Sequence, residues 1–407
     1  MADASSENTT AQATTAPKAA PATPAPAPKA APAAPAEPAL IVSSSPHFHT
    51  KDTVDSIMRW VLIALAPACC AGVYFFGWDA LRVLCLCTFG SIALEWLAAR
   101  IMGKSIEIRD GSAAVTGLLL GMNLPSSTPW WICLIGCFMA VVVGKMIFGG
   151  LGCNPFNPAL VGRVALLLAF PVVLTTWPAP RTPECLKDSA PVVELAVPAT
   201  SATPSAAVEA SEGTVIPKTT ATPLKWSKLC RMNRSAEGLH EKCTPLAKSP
   251  AKSYWHLFLG LEKGGSLGET CGLALLLGGI LLICLNIVRW QIPVFYLTTV
   301  VFITGIAWLI NPDKYADPLF HVLTGGLLLG AFFMATDMVT TPLSRLGAIY
   351  FAIGCGVLTS CIRLWGSYPE GVSFSILIMN AFTPLIDRAT AGKPFGMPKK
   401  KGIKMPS

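Results

Sequence analysis

Residues 60–76 read WVLIALAPACCAGVYFF, an unbroken stretch without one charged side chain. A backbone placed in lipid finds no water to bond, and a helix satisfies its amides within its own segment. Runs of this kind recur along the chain. They lie near 55–76, 80–99, 112–124, 130–149 and 157–176, and again near 267–288, 292–311, 318–336, 345–364 and 371–387. Crossing a bilayer takes about 20 apolar residues. Segments 112–124 and 318–336 are short or glycine-rich. They read as broken helices, which are tolerated at membrane depth only where protein covers the freed backbone.

Composition agrees. The 407 residues are 52% hydrophobic and 13% charged, against about 25% charged in a soluble domain. The fold class expected is an all-α polytopic membrane protein with about ten transmembrane helices. The formal charge of +8 is no nucleic-acid signal; what matters is where Lys and Arg sit relative to the spans. Fourteen cysteines are present, none in a CxxC pair, and most lie in apolar runs. They read as small buried apolar residues rather than metal ligands. Cys185, Cys230 and Cys243 lie in the central polar segment, where a pair could bridge in an oxidising space.

The expected organisation has five parts. Residues 1–43 form a disordered Ala/Pro-rich tail. Residues 44–176 form a first membrane repeat, 177–253 a polar loop, 254–390 a second repeat and 391–407 a basic tail. With the N-terminus in the cytoplasm, Arg100, Lys104, Arg109, Lys145, Arg289, Arg345 and the tail from Arg388 fall inside. The short outer loops then hold mainly Arg82, Lys314 and Arg363. This bias places both termini in the cytoplasm and the 177–253 loop outside.

The two halves echo each other. DGSAAVTGLLLGMNLPSSTP begins at Asp110, and DPLFHVLTGGLLLGAFFMATDMVTTP begins at Asp317; each runs from an Asp through a TG(G)LLLG core to a Thr-Pro. Five spans per half would make the second half enter the membrane upside down. Two inverted five-helix repeats with broken helices are an architecture of translocating proteins.

Ionisable groups at membrane depth are expensive and often functional. Glu95, Glu269, Asp337 and Asp387 lie within spans or at their ends. Glu95 and Asp337 are the ion-pathway candidates, with interfacial helix capping as the other reading of Asp337 and Asp387, and with Arg100 as a shield for Glu95. In CNPFNPALVGR, the pairs Asn154–Pro155 and Asn157–Pro158 break the helix. An asparagine amide offers donor and acceptor together, so Asn154 and Asn157 are candidate cofactor-lining residues. Asn157 also fits a helix N-cap followed by Pro. No P-loop, HExxH, GxSxG or GxGxxG signature is present.

Several long motifs then occur in order: SSPHFHTKDTVDSIMRWVLIALAPA, DGSAAVTGLLLGMNLP, NPFNPALVGRVALLLAFP, GSLGETCGLALLLGG and WGSYPEGVSFSILIMNAFTPLIDR. Over residues 44–390 the chain resembles the D subunit of the Rnf ion-translocating electron-transport complex. It is similar, more distantly, to the B subunit of the Na+-translocating NADH:quinone reductase. The resemblance implies a subunit of the bacterial inner membrane that relays electrons through covalent FMN, coupled to Na+ or H+ movement, with no complete activity alone. It implies an FMN phosphoester on a threonine in a motif reading roughly Asp-x-x-Ser-Gly-Ala-Thr. In PKTTATPLKW, Thr219, Thr220, Ala221 and Thr222 stand at the last four places, which points to Thr222. Thr220 replaces the glycine and Ile216 the Asp, and Thr203 in ATSATPSA is the alternative. A second, noncovalent flavin (riboflavin or FMN) is a further expectation. The partners implied are the other members of the complex, including a periplasm-facing FMN subunit, a flavin transferase for maturation, and membrane lipid. A non-redox inverted-repeat transporter is the competing reading.

Overall fold

The computed structural model describes residues 53–103, 110–178, 219–220, 250–260, 265–312, 315–366 and 371–391. Helix α1 (Val54–Phe76) starts where Thr53 caps the Ser56 amide at 3.2 Å. It ends at Gly77, whose φ of 72° turns the chain back into α2 (Trp78–Ile101); glycine adopts that left-handed backbone without a Cβ clash. Next come α3 (Ser112–Met122) and α4 (Trp130–Cys137), which continues as a π-helical stretch Phe138–Met146. Then follow α5 (Pro158–Ala169) and the short α6 (Pro171–Thr175). The first half closes on β1 (Trp177–Pro178), paired antiparallel with β2 (Thr219–Thr220).

The second half opens with α7 (Pro250–Leu259), a 3-10 turn (Leu267–Glu269), α8 (Gly272–Cys284) and α9 (Gln291–Ile310). Next come α10 (Pro318–Leu323) and α11 (Leu327–Leu329), which runs on as a π-helical turn Gly330–Met334. Finally come α12 (Arg345–Trp365) and α13 (Val372–Thr390). The break between α10 and α11 falls inside the segment read as interrupted, and α3 is as short as expected. The span read as 157–176 differs: it is split at Phe170–Pro171, where the proline has no amide to continue the ladder.

The packing repeats. In the first half α2 packs on α3 and α4, and α4 on α5; in the second, α9 packs on α10 and α12, and α12 on α13. The seam between halves is made by α1 against α8 and α5 against α13, the first and last members of each set. Direction is inverted. One end of the bundle gathers the starts of α1, α3 and α5 and the end of α4 with the ends of α8 and α11. We term this end proximal and the opposite one distal.

Close approach rests on glycine. A Cβ at Gly117 in α3 would fall inside the shell of the Cys87 carbonyl of α2, and one at Gly278 in α8 inside that of the Ala64 carbonyl of α1. Small residues that let backbones touch are the usual glue of membrane helices. Among the described residues, α1, α2, α9 and α12 are long and apolar enough to cross a membrane, while α3, α4, α5 and α8 are apolar but shorter. The outward faces carry Ile63, Phe89, Phe302 and Leu309, all exposed, which only lipid or a partner would solvate. Exposed Trp78, Trp130 and Trp365 ring the distal end, as interfacial belts do.

Candidate functional site

The 147–157 connection reverses the chain between α4 and α5 at the proximal end. It delivers Asn154 and Asn157 to the seam, where they line a cavity of about 110 Å³ with Ser112, Thr116 and Lys145. The second half supplies Thr336 and Asp337 to the same wall. At that volume the cavity is a narrow slot; pockets that engulf a drug-sized ligand start at about 300 Å³.

Both readings of Asn157 meet here. Its Oδ1 caps α5, accepting from Ala159 N at 3.1 Å and Leu160 N at 3.4 Å. Its Nδ2 crosses the seam to donate to Met334 O at 3.1 Å. Asn380 of α13, oriented to satisfy both neighbours, accepts from Asn157 N at 3.1 Å and donates to Ile376 O at 3.2 Å. Asn123, at the end of α3, donates to Leu119 O at 2.7 Å and approaches Met334 Sδ at 3.7 Å. Asn157 and Asn123 therefore converge on Met334 of the π-turn of α11, and Asn380 holds the Asn157 backbone. Asn154 donates to Phe156 O at 3.0 Å. Its Oδ1 is buried and, among the described residues, accepts no hydrogen bond.

The sequence suggested Arg100 as the shield for Glu95. Arg100 is exposed, and the cation beside Glu95 is Lys145. Nζ lies 2.6 Å from Glu95 Oε1, with 1% and 9% of the two side chains exposed. Nζ also donates to Ser112 Oγ at 2.5 Å, and Ser112 Oγ donates to Asp110 Oδ2 at 2.7 Å. A chain of polar groups thus runs from α2 through α4 to the start of α3. Lys145 sits in the π-helical stretch of α4, and π-bulges recur at functional sites. Lys145 is therefore not the loop charge it was counted as. Nor is Arg363, which is buried and donates to the carbonyls of His321 and Thr324. One charge leaves each side of the topology count, so its balance is unchanged.

Asp337 lines the cavity, with Thr340 Oγ1 donating to it at 3.2 Å; Asp387 accepts from Leu343 N at 2.9 Å. Both act as local caps, and Asp337 faces the slot as well. The structure thus joins Asn154, Asn157 and Asp337 on one wall, and Glu95 reaches it through Lys145. Lys145, Ser112, Asn123 and Asn380 were missed. A lysine inside an otherwise apolar run, VVVGKMIFGG, was the available signal. Among the described residues, no cluster of three His, Cys, Asp or Glu could hold a metal. Thr222 and Thr203 lie outside the described residues.

The motifs that build this slot extend over nearly the whole chain. A sequence model of the NQR2, RnfD, RnfE family matches residues 41–396. The chain belongs to the NQR2, RnfD, RnfE family. Individual members of the family are close to it. The D subunit of the proton-translocating ferredoxin:NAD(+) oxidoreductase complex of Clostridium ljungdahlii is 42% identical over 355 residues, 87% of this chain and 96% of that protein. Its counterpart in the Na(+)-translocating ferredoxin:NAD(+) oxidoreductase complex of Acetobacterium woodii is 39% identical over 89% of this chain and 97% of its own length. The D subunit of the ion-translocating oxidoreductase complex of Stutzerimonas stutzeri is 41% identical over 85% and 93%. Within the NQR2, RnfD, RnfE family, then, this chain is similar to D subunits over most of its length rather than through one shared segment.

Proposed function

We propose that the chain is the flavin-carrying D subunit of an Rnf-type ion-translocating oxidoreductase complex. Its similarity, over most of its length, to D subunits named for ferredoxin:NAD(+) oxidoreduction supports this. Their names include both a proton-translocating and a Na(+)-translocating complex, so either ion fits the likeness. In this reading FMN is held as a phosphoester on Thr222, with Thr203 as the alternative. A separate transferase attaches it, because a threonine hydroxyl is a weak nucleophile on its own. The 177–253 loop faces the periplasm, both termini face the cytoplasm, and the membrane is the bacterial inner membrane. A periplasm-facing FMN subunit exchanges electrons with the tethered flavin.

The observation that supports a second, noncovalent flavin is the buried, unpartnered Oδ1 of Asn154 in the seam cavity. A buried acceptor without a donor is costly. The pyrimidine edge of an isoalloxazine ring offers an N–H between two carbonyls. Asn154 would accept from that N–H, Thr116 would border the ring edge, and Lys145 would place a positive charge on the same wall. A flavin bound here supplies one- and two-electron chemistry; the chain supplies position, exclusion of water and local charge. Asp337, which lines the slot, and Glu95, which reaches it through Lys145, are the ion-pathway candidates.

Two measurements on the purified complex test this. The chain should fluoresce as a flavoprotein on a denaturing gel, and Thr222→Ala should abolish that signal. Acid extraction should release one noncovalent flavin fewer from the Asn154→Leu complex than from wild type, with the covalent signal retained. A dark denatured band, or an unchanged extract, would remove the corresponding half of the proposal. Fluorescence lost in Thr203→Ala instead would relocate the tether.

A further inference from the structure

Four polar side chains meet end to end at the proximal side of the first half. Asp110, half-buried before α3, accepts from Ser112 Oγ at 2.7 Å and from Ser112 N at 3.1 Å. Ser112 Oγ accepts from Lys145 Nζ at 2.5 Å, and Nζ lies 2.6 Å from Glu95 Oε1. Ser112, Lys145 and Glu95 are all buried, so the end of the line nearest solvent is Asp110. The line closes because the π-helical stretch that carries Lys145 packs on both α2 and α3. On α2 the polar face continues inward: Ser91, one turn before Glu95, is fully buried beside Cys137 of α4. An ion pair serving only stability needs two partners. Here a hydroxyl and a second carboxylate extend it toward the surface.

We infer that Asp110, Ser112 and Lys145 form a proton-loading line that protonates Glu95 from the proximal face. This rests on the reading of Glu95 as an ion-pathway residue and names the ion as a proton. Lys145 yields a proton to Glu95 Oε1. The neutral amine turns its lone pair to Ser112 Oγ and takes the hydroxyl proton, and the hydroxyl is refilled by Asp110, which has taken a proton from water. Asp110, Ser112 and Lys145 end as they began, and Glu95 gains one O–H bond. Lysine suits the middle place because its ionisation responds to its surroundings. A metal cation has no such route, since Nζ fills the space between the two oxygens and carries a charge of the same sign. Few other charges bear on the line among the described residues. Helix α3 carries no acidic or basic residue, Arg100 of α2 is exposed, and Asp55 and Arg59 of α1 pair with each other at the surface. Asp337 shares the cavity wall with Ser112 and Lys145.

The test is time-resolved infrared difference spectroscopy of the native complex on reduction, with ion uptake measured in proteoliposomes. Wild type should show a carboxylic-acid C=O band from Glu95, assigned by its loss in Glu95→Gln or its shift in Glu95→Asp, which keeps the ion pair. Ser112→Ala leaves the Lys145–Glu95 pair in place and removes only the hydroxyl. It should keep the wild-type melting temperature while the band and proton uptake slow by about a hundredfold, the low end of what a positioned proton donor contributes. Asp110→Asn should slow both to a similar degree, and Ser112→Thr should restore them. A Glu95 band that forms at the wild-type rate in Ser112→Ala means that Lys145 is fed from the cavity, and overturns the line while leaving Glu95 a carrier. No Glu95 band in wild type also overturns the line; uptake of radioactive sodium lost in Glu95→Gln would then keep Glu95 on the ion path. Uptake of either ion unchanged in Glu95→Gln removes the ion-path reading and the line together.

Discussion

Lys145 and Glu95 make a double-mutant cycle with a sharp expected sign. The pair is 2.6 Å apart and nearly sealed from solvent. Replacing Glu95 by Leu strands an ammonium, and replacing Lys145 by Met strands a carboxylate. Removing one partner of a buried pair costs about 3–5 kcal/mol, whereas replacing both by apolar groups of similar volume is close to neutral. Unfolding entropy is about 2.1 cal/mol/K per residue. For the roughly 250 described residues that gives about 0.5 kcal/mol/K, so each single variant should lose about 6–9 °C of melting temperature. The double variant should return to within a degree or two of wild type. Thermal unfolding of the detergent-solubilised complex, followed by size-exclusion chromatography with fluorescence detection, measures all four corners. A single variant as stable as wild type, or a double variant as unstable as the worse single, refutes the pairing. Ion uptake separates structure from transport. If Glu95 lies on the ion path, the double variant regains stability without regaining uptake.

Other outcomes follow from the packing. Gly117→Val should prevent accumulation of folded chain, because even a Cβ there collides with the Cys87 carbonyl; Gly103→Ala, with open space around it, should cost no more than about 1–2 kcal/mol of backbone strain, and membrane yield compares the two. Asn157→Ala should cost about 1–2 kcal/mol through the lost cap and lower the melting temperature further through the lost Met334 contact, whereas Asn157→Asp keeps the cap and shows only the second effect. Tyr296→Phe deletes a buried hydroxyl held at 2.7 Å from Thr359 and 3.1 Å from Ser375, and should cost about 1 kcal/mol in the same assay. Exposed Cys153 in the proximal connection should react with a membrane-impermeant maleimide from the cytoplasmic side only; labelling from the periplasm reverses the proposed topology.

Much of the fold was legible because lipid leaves a chain few options. The apolar runs, the shortened third segment and the break at Gly325–Gly326 follow from length, glycine content and the demand for internally satisfied amides. The split at Phe170–Pro171 was missed because the residues on both sides are apolar and hydropathy does not register a missing amide. Asn154 and Asn157 stood out beside their prolines. Asn123 and Asn380 did not, since their role depends on meeting Met334 or Asn157 from helices more than 200 residues apart in sequence (334 − 123 and 380 − 157). Lys145 was misread for a related reason. A lysine near the end of a span looks like a loop charge unless the π-helical stretch that turns it inward is known.

The inversion also explains why the polar chemistry is one-sided. Lys145 ends α4 and Arg363 lies near the end of α12, the helix that takes the same place in the second half. Each reaches back to the third member of its own half. Lys145 bonds Ser112 at the start of α3, and Arg363 bonds carbonyls along α10. The repeats thus place corresponding buried cations toward opposite ends of the bundle. The difference lies in the second member: α2 presents Glu95 to its cation, whereas α9 carries no acidic residue. Arginine holds its charge and its fork of donors suits fixed carbonyl dipoles, while lysine is a compact charge whose ionisation responds to its surroundings. The distal end is therefore built around a permanent charge held by backbone. The proximal end is built around a cation–carboxylate pair whose cation also lines the seam cavity, and a change of charge in that cavity would act on this pair first.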